Sequence, residues 1–123
     1  MKIFSIEEAN ALLPTVRRIL EAVRRAHHRL LAYQEAAKRA AEEQGGGGMA
    51  DGPRYVANLI ELTTRTSELE VLGVQLKDYA RGLIDFPSLR DGRVILLCWQ
   101  LGEGEQIEWW HDVEAGFAGR QPL

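Results

Sequence analysis

The sequence predicts an α+β fold: a kinked N-terminal helix and a long antiparallel helical hairpin, packed beside a small antiparallel β-meander and closed by an ordered irregular C-terminal tail. Three observations lead there. Up to Gly73 apolar residues recur at helical intervals, broken by four consecutive glycines at Gly45 to Gly48. Beyond Gly73 the period shortens to strand-like alternation between turn residues. All three tryptophans and the single cysteine lie in this second part. A chain of 123 residues with 46% hydrophobic and 27% charged residues has ordinary globular composition and room for one core. We therefore read residues 1–123 as one domain, with a hairpin over 1–73, a meander plus tail over 74–123, and a flexible glycine-rich loop over 45–52.

Each element has a local cause. Ser5 followed by Glu8 is a capping-box pattern, so a helix begins at Ile6. Pro14 lacks an amide hydrogen and crowds the carbonyl of Asn10, which predicts a kink or restart there, with a short helix before a long one. Val16, Val23, Leu30 and Ala37 then repeat at sevens, with Ile19, Leu20, Ala26, Tyr33 and Ala40 beside them, forming a coiled-coil-like face. After Pro53, a favourable first helical residue, Tyr55, Leu62 and Leu69 repeat the spacing, supported by Leu59, Thr66 and Leu72. Gly73 supplies a left-handed stop. Strand-like runs follow at Val74 and Leu76, Leu83 to Phe86, Val94 to Leu101 and Ile107 to His111, with turn chemistry at Asp91-Gly92 and Gly102-Glu103-Gly104. Val94 to Trp99 is apolar on both alternating faces, so this strand is central, with helices over one face and the tail or a second subunit over the other.

Composition removes several function classes. A net charge of −3 provides no overall attraction to nucleic acid or anionic membranes. The longest apolar run, Val94 to Trp99, is far short of the roughly 20 residues of a membrane span. One cysteine makes neither an internal disulfide nor a multi-thiolate metal site, and the N-terminus lacks a signal-peptide pattern; a soluble cytoplasmic protein is expected. Arg17-Arg18, Arg24-Arg25 and Lys38-Arg39 form a basic stripe, but Glu21, Glu35 and Glu42 interrupt it and no aromatics interleave. It reads as a solvated helix flank, with Glu61, Glu68 and Glu70 as ion-pair partners. His27-His28 has no third ligand in sight.

The residues that can carry chemistry are few. Asp85 is a carboxylate among apolar neighbours in a strand, and its burial requires a cation, amides or a ligand. Arg120, Lys77 and Arg93 are its candidate partners. Glu103 sits in a glycine turn. His111-Asp112 ends a strand, where alternation points the two side chains apart and puts Ile107, Trp109 and His111 on one face. If Asp85, Glu103 and His111 converge, two carboxylates and an imidazole suit a hard or borderline divalent cation, although their spacing matches no metal motif. Cys98 reads as a small buried hydrophobe in the central strand. Trp109 and Trp110 face opposite sides of the sheet.

Gly82-Leu-Ile-Asp-Phe-Pro87, Leu97-Cys-Trp-Gln-Leu-Gly-Glu103, Ile107 with Trp110-His111, and Gly116-Phe-Ala-Gly-Arg-Gln-Pro-Leu123 resemble an uncharacterised bacterial family, domain of unknown function 2203. Phe4-Ser-Ile-Glu-Glu-Ala-Asn-Ala-Leu-Leu-Pro14 and the segment from Gly73 to Asp78 look like its N-terminal and middle portions, and the four glycines depart from its pattern. The resemblance implies a bacterial cytosolic protein with Asp85, Cys98, Trp99, Glu103, His111 and Arg120 at matching positions, and no named reaction. The sequence thus leaves two expectations. One is a non-catalytic interaction or scaffold module that homodimerises and meets a protein partner. The other is a metal-dependent or small-molecule-binding enzyme with its site around Asp85, Glu103, His111 and Arg120, holding a divalent metal.

Overall fold

The computed structural model describes residues 1–44 and 52–123, so most of the expected glycine-rich loop lies outside the described residues. Two helices, α1 (Ile6–Gln44) and α2 (Gly52–Leu72), precede a five-stranded sheet. Its strands are β1 (Gln75–Asp78), β2 (Leu83–Arg90), β3 (Arg93–Gln100), β4 (Trp109–Asp112) and β5 (Gln121–Pro122), with a 3-10 turn at Phe117–Gly119. All pairings are antiparallel and the spatial order is β1-β2-β3-β4-β5, a plain meander with β3 in the middle. No described helix is long and apolar enough to cross a membrane.

The helix start follows its local code. Glu8 N–H donates to Ser5 Oγ at 3.0 Å and Ser5 N–H to a Glu8 carboxylate oxygen at 2.9 Å, and these hydrogen bonds hold the Glu8 carboxyl below its usual range. Pro14 lies inside α1 and does not divide it, so one 39-residue helix replaces the expected short and long pair. Packing explains the tolerance: Leu13, Val16, Leu20, Val23, Ala26 and Leu30 are all buried along this side of α1, which anchors both sides of the proline. In α2, by contrast, Leu69 alone among the described residues is buried. Tyr33 and Tyr55 meet across the hairpin with ring centres 4.9 Å apart. Gly73 closes α2 at φ 87°, as the change of period requires.

The register of the sheet decides what each face sees. Asp91 (φ 51°) and Gly92 (φ 78°) make a two-residue turn with both central residues left-handed, the geometry that suits strand twist, and pairing counts outward symmetrically from Arg90 opposite Arg93. Ile84, Phe86, Ile95, Leu97, Trp99 and Trp110 form one face and pack with Phe4, Leu13, Val16, Leu20 and Leu69 into the main core. Ile107 joins this core as well, because β4 begins only at Trp109 and the expected alternation from Ile107 does not hold. Pro87 is compatible with a long strand because β1 has ended before that point. There Phe4 N–H donates to Pro87 O at 2.8 Å, and the Ser88 hydroxyl donates to Phe4 O at 2.6 Å. Phe4 then sets its ring edge-on to Phe86, 5.2 Å between centres.

The opposite face carries Leu83, Asp85, Leu96, Cys98, Trp109 and His111, beneath Val113, Gly116 and Phe117 of the tail. The second cover anticipated for the apolar central strand is thus the chain's own C-terminus, which adds β5 against β4 and donates Leu123 N–H to Glu108 O at 2.9 Å.

The unequal burial along α2 leads to a stability contrast. Leu69→Ala should cost about 2–5 kcal/mol, as large-to-small core changes do, whereas Leu59→Ala, at an exposed position, should stay within about 0.5 kcal/mol of wild type. Urea titration of both variants measures the difference.

Candidate functional site

Asp85 on β2 lies opposite Cys98 on β3, and His111 on β4 lies opposite Leu96, two residues along β3 from Cys98. Three neighbouring strands therefore each contribute one side chain to the same face. The β2 and β4 backbones are roughly 9–10 Å apart at ordinary strand spacing, and the Asp85 and His111 side chains reach toward each other over β3. His111 Nε2 comes to 3.1 Å from Asp85 Oδ1. The ligand atoms of Asp85, Cys98 and His111 all lie within 4.8 Å of one another.

This cluster is buried. Asp85 is 2% exposed, Cys98 1% and His111 2%. It borders a cavity of about 180 Å³ whose other walls are Lys77, Leu83, Leu96, Val113, Gly116 and Phe117. The imidazole is held from behind: His111 Nδ1 is 2.7 Å from Asp112 O, and a carbonyl only accepts, so Nδ1 carries the hydrogen. That leaves the other ring nitrogen, Nε2, facing a carboxylate oxygen. A neutral imidazole Nε2 and a carboxylate oxygen are both acceptors, so a hydrogen or a metal ion must lie between them. Burial pushes the Cys98 thiol up to about 12, and the negative charge of Asp85 adds to the shift while Arg120 opposes it. In the metal-free protein Cys98 is a protonated thiol and no nucleophile.

Glu103 and Arg120 do not join this cluster. Arg120 Nη2 donates to both Glu103 carboxylate oxygens, at 2.9 and 2.7 Å, and Glu103 Oε1 also accepts from Gln100 N–H at 2.9 Å. The guanidinium sits 5.0 Å from the Trp109 ring centre and 4.7 Å from that of Phe117. With the Arg120 and Glu103 side chains only 10% and 22% exposed, this pair fastens the tail to the β3–β4 connection. Of the four expected site residues, Asp85 and His111 meet, while Glu103 and Arg120 meet each other at the rim. Of the other cations considered for Asp85, Arg93 pairs instead with Asp112 at 3.0 Å, while Lys77 lines the same cavity as Asp85. The residue that sequence reasoning left out of the site is Cys98. A usable signal existed, because a two-residue Asp91-Gly92 turn places residue 98 directly opposite residue 85 by counting outward.

The basic stripe of α1 is not paired as expected either. Glu61 and Glu68 bind Arg65 on their own helix, at 3.2 and 2.6 Å. His27 stacks on Tyr79, ring centres 5.4 Å apart.

The fold and the cluster define a class: an α+β meander protein that buries an aspartate, a cysteine and a histidine between its sheet and its C-terminal tail. The chain belongs to the family described as Uncharacterized conserved protein (DUF2203), whose model matches residues 2–123, essentially the whole length. No curated protein and no solved structure matches it.

The raised thiol sets a pH test. Because the folded value lies above the unfolded one, this group's contribution to stability is complete below the ordinary thiol range near 9.0 and is lost as pH rises toward about 12. At pH 8 the folded, metal-free protein should resist Ellman's reagent and release one equivalent of thiolate chromophore only on unfolding; fast reaction of the native protein would contradict the burial of Cys98.

Proposed function

We propose that this protein binds a divalent cation of the zinc type through Asp85, Cys98 and His111. The observation that carries the reading is the meeting of His111 Nε2 and Asp85 Oδ1 at 3.1 Å in a buried site, with Nδ1 already committed to the Asp112 carbonyl. A histidine whose far nitrogen is tied to a carbonyl is the arrangement that presents its near nitrogen to a metal. Tetrahedral zinc, with bonds of roughly 2.0–2.3 Å, separates its ligand atoms by about 3.3–3.8 Å. The 3.1 Å His111–Asp85 pair would open slightly around such an ion, and any pair near the 4.8 Å limit of the cluster would close by about 1 Å. A set of one carboxylate, one thiolate and one imidazole favours zinc over magnesium or calcium, which prefer oxygen alone. Glu103 and Arg120 act in this reading by holding the tail over the site. A reducing bacterial cytosol suits the reading, since Cys98 must stay free of disulfides to serve as a ligand.

Metal analysis and calorimetric zinc titration of the purified protein test it. One equivalent of zinc should bind, and Asp85→Asn, Cys98→Ser and His111→Gln should each lose more affinity than the roughly 10- to 100-fold that removing an outer hydrogen-bond partner costs. Glu103→Gln should stay within that range. If zinc fails to bind or to raise the melting temperature, and the three ligand variants behave alike, the pair is one that shares a proton for structural reasons.

A second reading, an interaction module that homodimerises, is supported by a different observation. Val56, Ile60 and Val71 recur on one outward side of α2 with 51%, 61% and 87% of their surface exposed. Burying these against a second copy would supply the partner surface that the thinly packed hairpin leaves open. Light scattering coupled to size exclusion should then give twice the 13.8 kDa chain mass, reverting to monomer in Ile60→Glu; a wild type that is monomeric at high concentration rejects it.

A further inference from the structure

Building on the metal-binding reading, we propose that the site keeps one exchangeable coordination position, opening into the cavity beneath the tail, and that this position takes a small carboxylate with an apolar body, countered by Lys77. Among the described residues only Asp85, Cys98 and His111 form a cluster of three or more ligand atoms close enough to hold an ion. Structural zinc is closed by four protein ligands, whereas three leave a place for water or an exogenous ligand. Glu103, the nearest expected fourth donor in the sequence, has both oxygens engaged by Arg120.

The cavity beside the cluster has the character such a ligand needs. Its volume of about 180 Å³ corresponds to roughly six waters at 30 Å³ each, room for a ligand of small aromatic-acid size and too little for a nucleotide. Leu83, Leu96, Val113 and Phe117 supply apolar walls, and Lys77 is the one cationic side chain among its lining residues. The charges agree with an anion. An ionised Asp85 and Cys98 neutralise a divalent ion, Glu103 neutralises Arg120, and Lys77 remains to balance an incoming carboxylate. Lys77 lines the cavity while remaining exposed, so its ammonium is available to a carboxylate that enters from solvent. Phe117 forms part of the cavity wall and carries Arg81 at 4.1 Å and Arg120 at 4.7 Å against its ring, so these contacts and the Arg120–Glu103 pair hold the tail side of the cavity in place.

Cobalt(II) substitution tests the proposal, because its visible bands report coordination number and its thiolate charge-transfer band reports Cys98. The Co2+ protein should show both, and benzoate should shift the visible bands saturably while leaving the charge-transfer band in place. Lys77→Ala, a change at an exposed residue, should retain full Co2+ binding and weaken benzoate by about two- to fivefold, the scale of a partly screened ion pair. Acetate should bind more weakly than benzoate, since it fills less of the apolar wall. A normal Co2+ spectrum that benzoate leaves unchanged means a closed site and overturns this inference alone. Equal benzoate affinity in wild type and Lys77→Ala overturns the role of Lys77. If no Co2+ spectrum forms at all, the metal-binding reading fails and this inference fails with it.

Discussion

β3 is apolar on both faces, and a strand in the middle of a sheet with two apolar faces has to be covered twice. The rest of the structure depends on that constraint. One cover is α1, whose buried row from Leu13 to Leu30 lies along the hairpin and, through Leu13, Val16 and Leu20, joins the face of Ile84, Phe86, Leu97 and Trp99. The other is the C-terminal tail, which crosses back over Leu96 and Cys98, pairs β5 with β4, and brings Phe117 onto the sheet. Fastening that second cover is the work of Arg120, whose guanidinium lies against both Trp109 and Phe117 while Glu103 holds its end.

Between the sheet and this second cover the protein accepts an electrostatic cost. A carboxylate at 2% exposure is unfavourable unless compensated. The partner is a histidine whose orientation is set by a backbone carbonyl, so the contact between the two groups needs a hydrogen or a metal ion between them. Cys98, directly across the strand pair, feels the same environment: desolvation and the negative charge of Asp85 both favour its neutral form. In the proposed metal-binding reading, one divalent ion would take the place of the shared proton and the thiol proton and relieve all three groups together.

Much of the fold was legible because its signals are local. The capping box at Ser5 and Glu8, the seven-residue repeats, the left-handed stop at Gly73 and the turn at Asp91-Gly92 each depend on side chains within a few positions of one another. Pro14 shows the limit of such signals. The helix-breaking tendency of proline is real, but long-range burial of α1 on the sheet holds the helix together around it. Ile107 shows another: read as part of a strand, it belongs to the helix-facing core, since Asn10 Oδ1 accepts the Ile107 N–H at 2.7 Å and draws the segment out of the sheet before β4 begins. The candidate site was half legible. Asp85 stood out as a charge amid apolar residues, and its pairing with Cys98 follows from the tight turn between their strands. Glu103 was placed with it on chemistry alone, and the structure gives that residue to Arg120.

The sequence by itself determined the elements, the α+β class and the fact that the central strand is buried on both faces, because alternation, capping and turn chemistry act over short stretches of chain. Tertiary structure alone decided which histidine meets Asp85. The connection from Leu101 to Glu108 is no tight turn of defined geometry, so the register of β4 against β3, and with it the position of His111 beside Cys98, is set by the packing of Trp110 and Ile107 into the core.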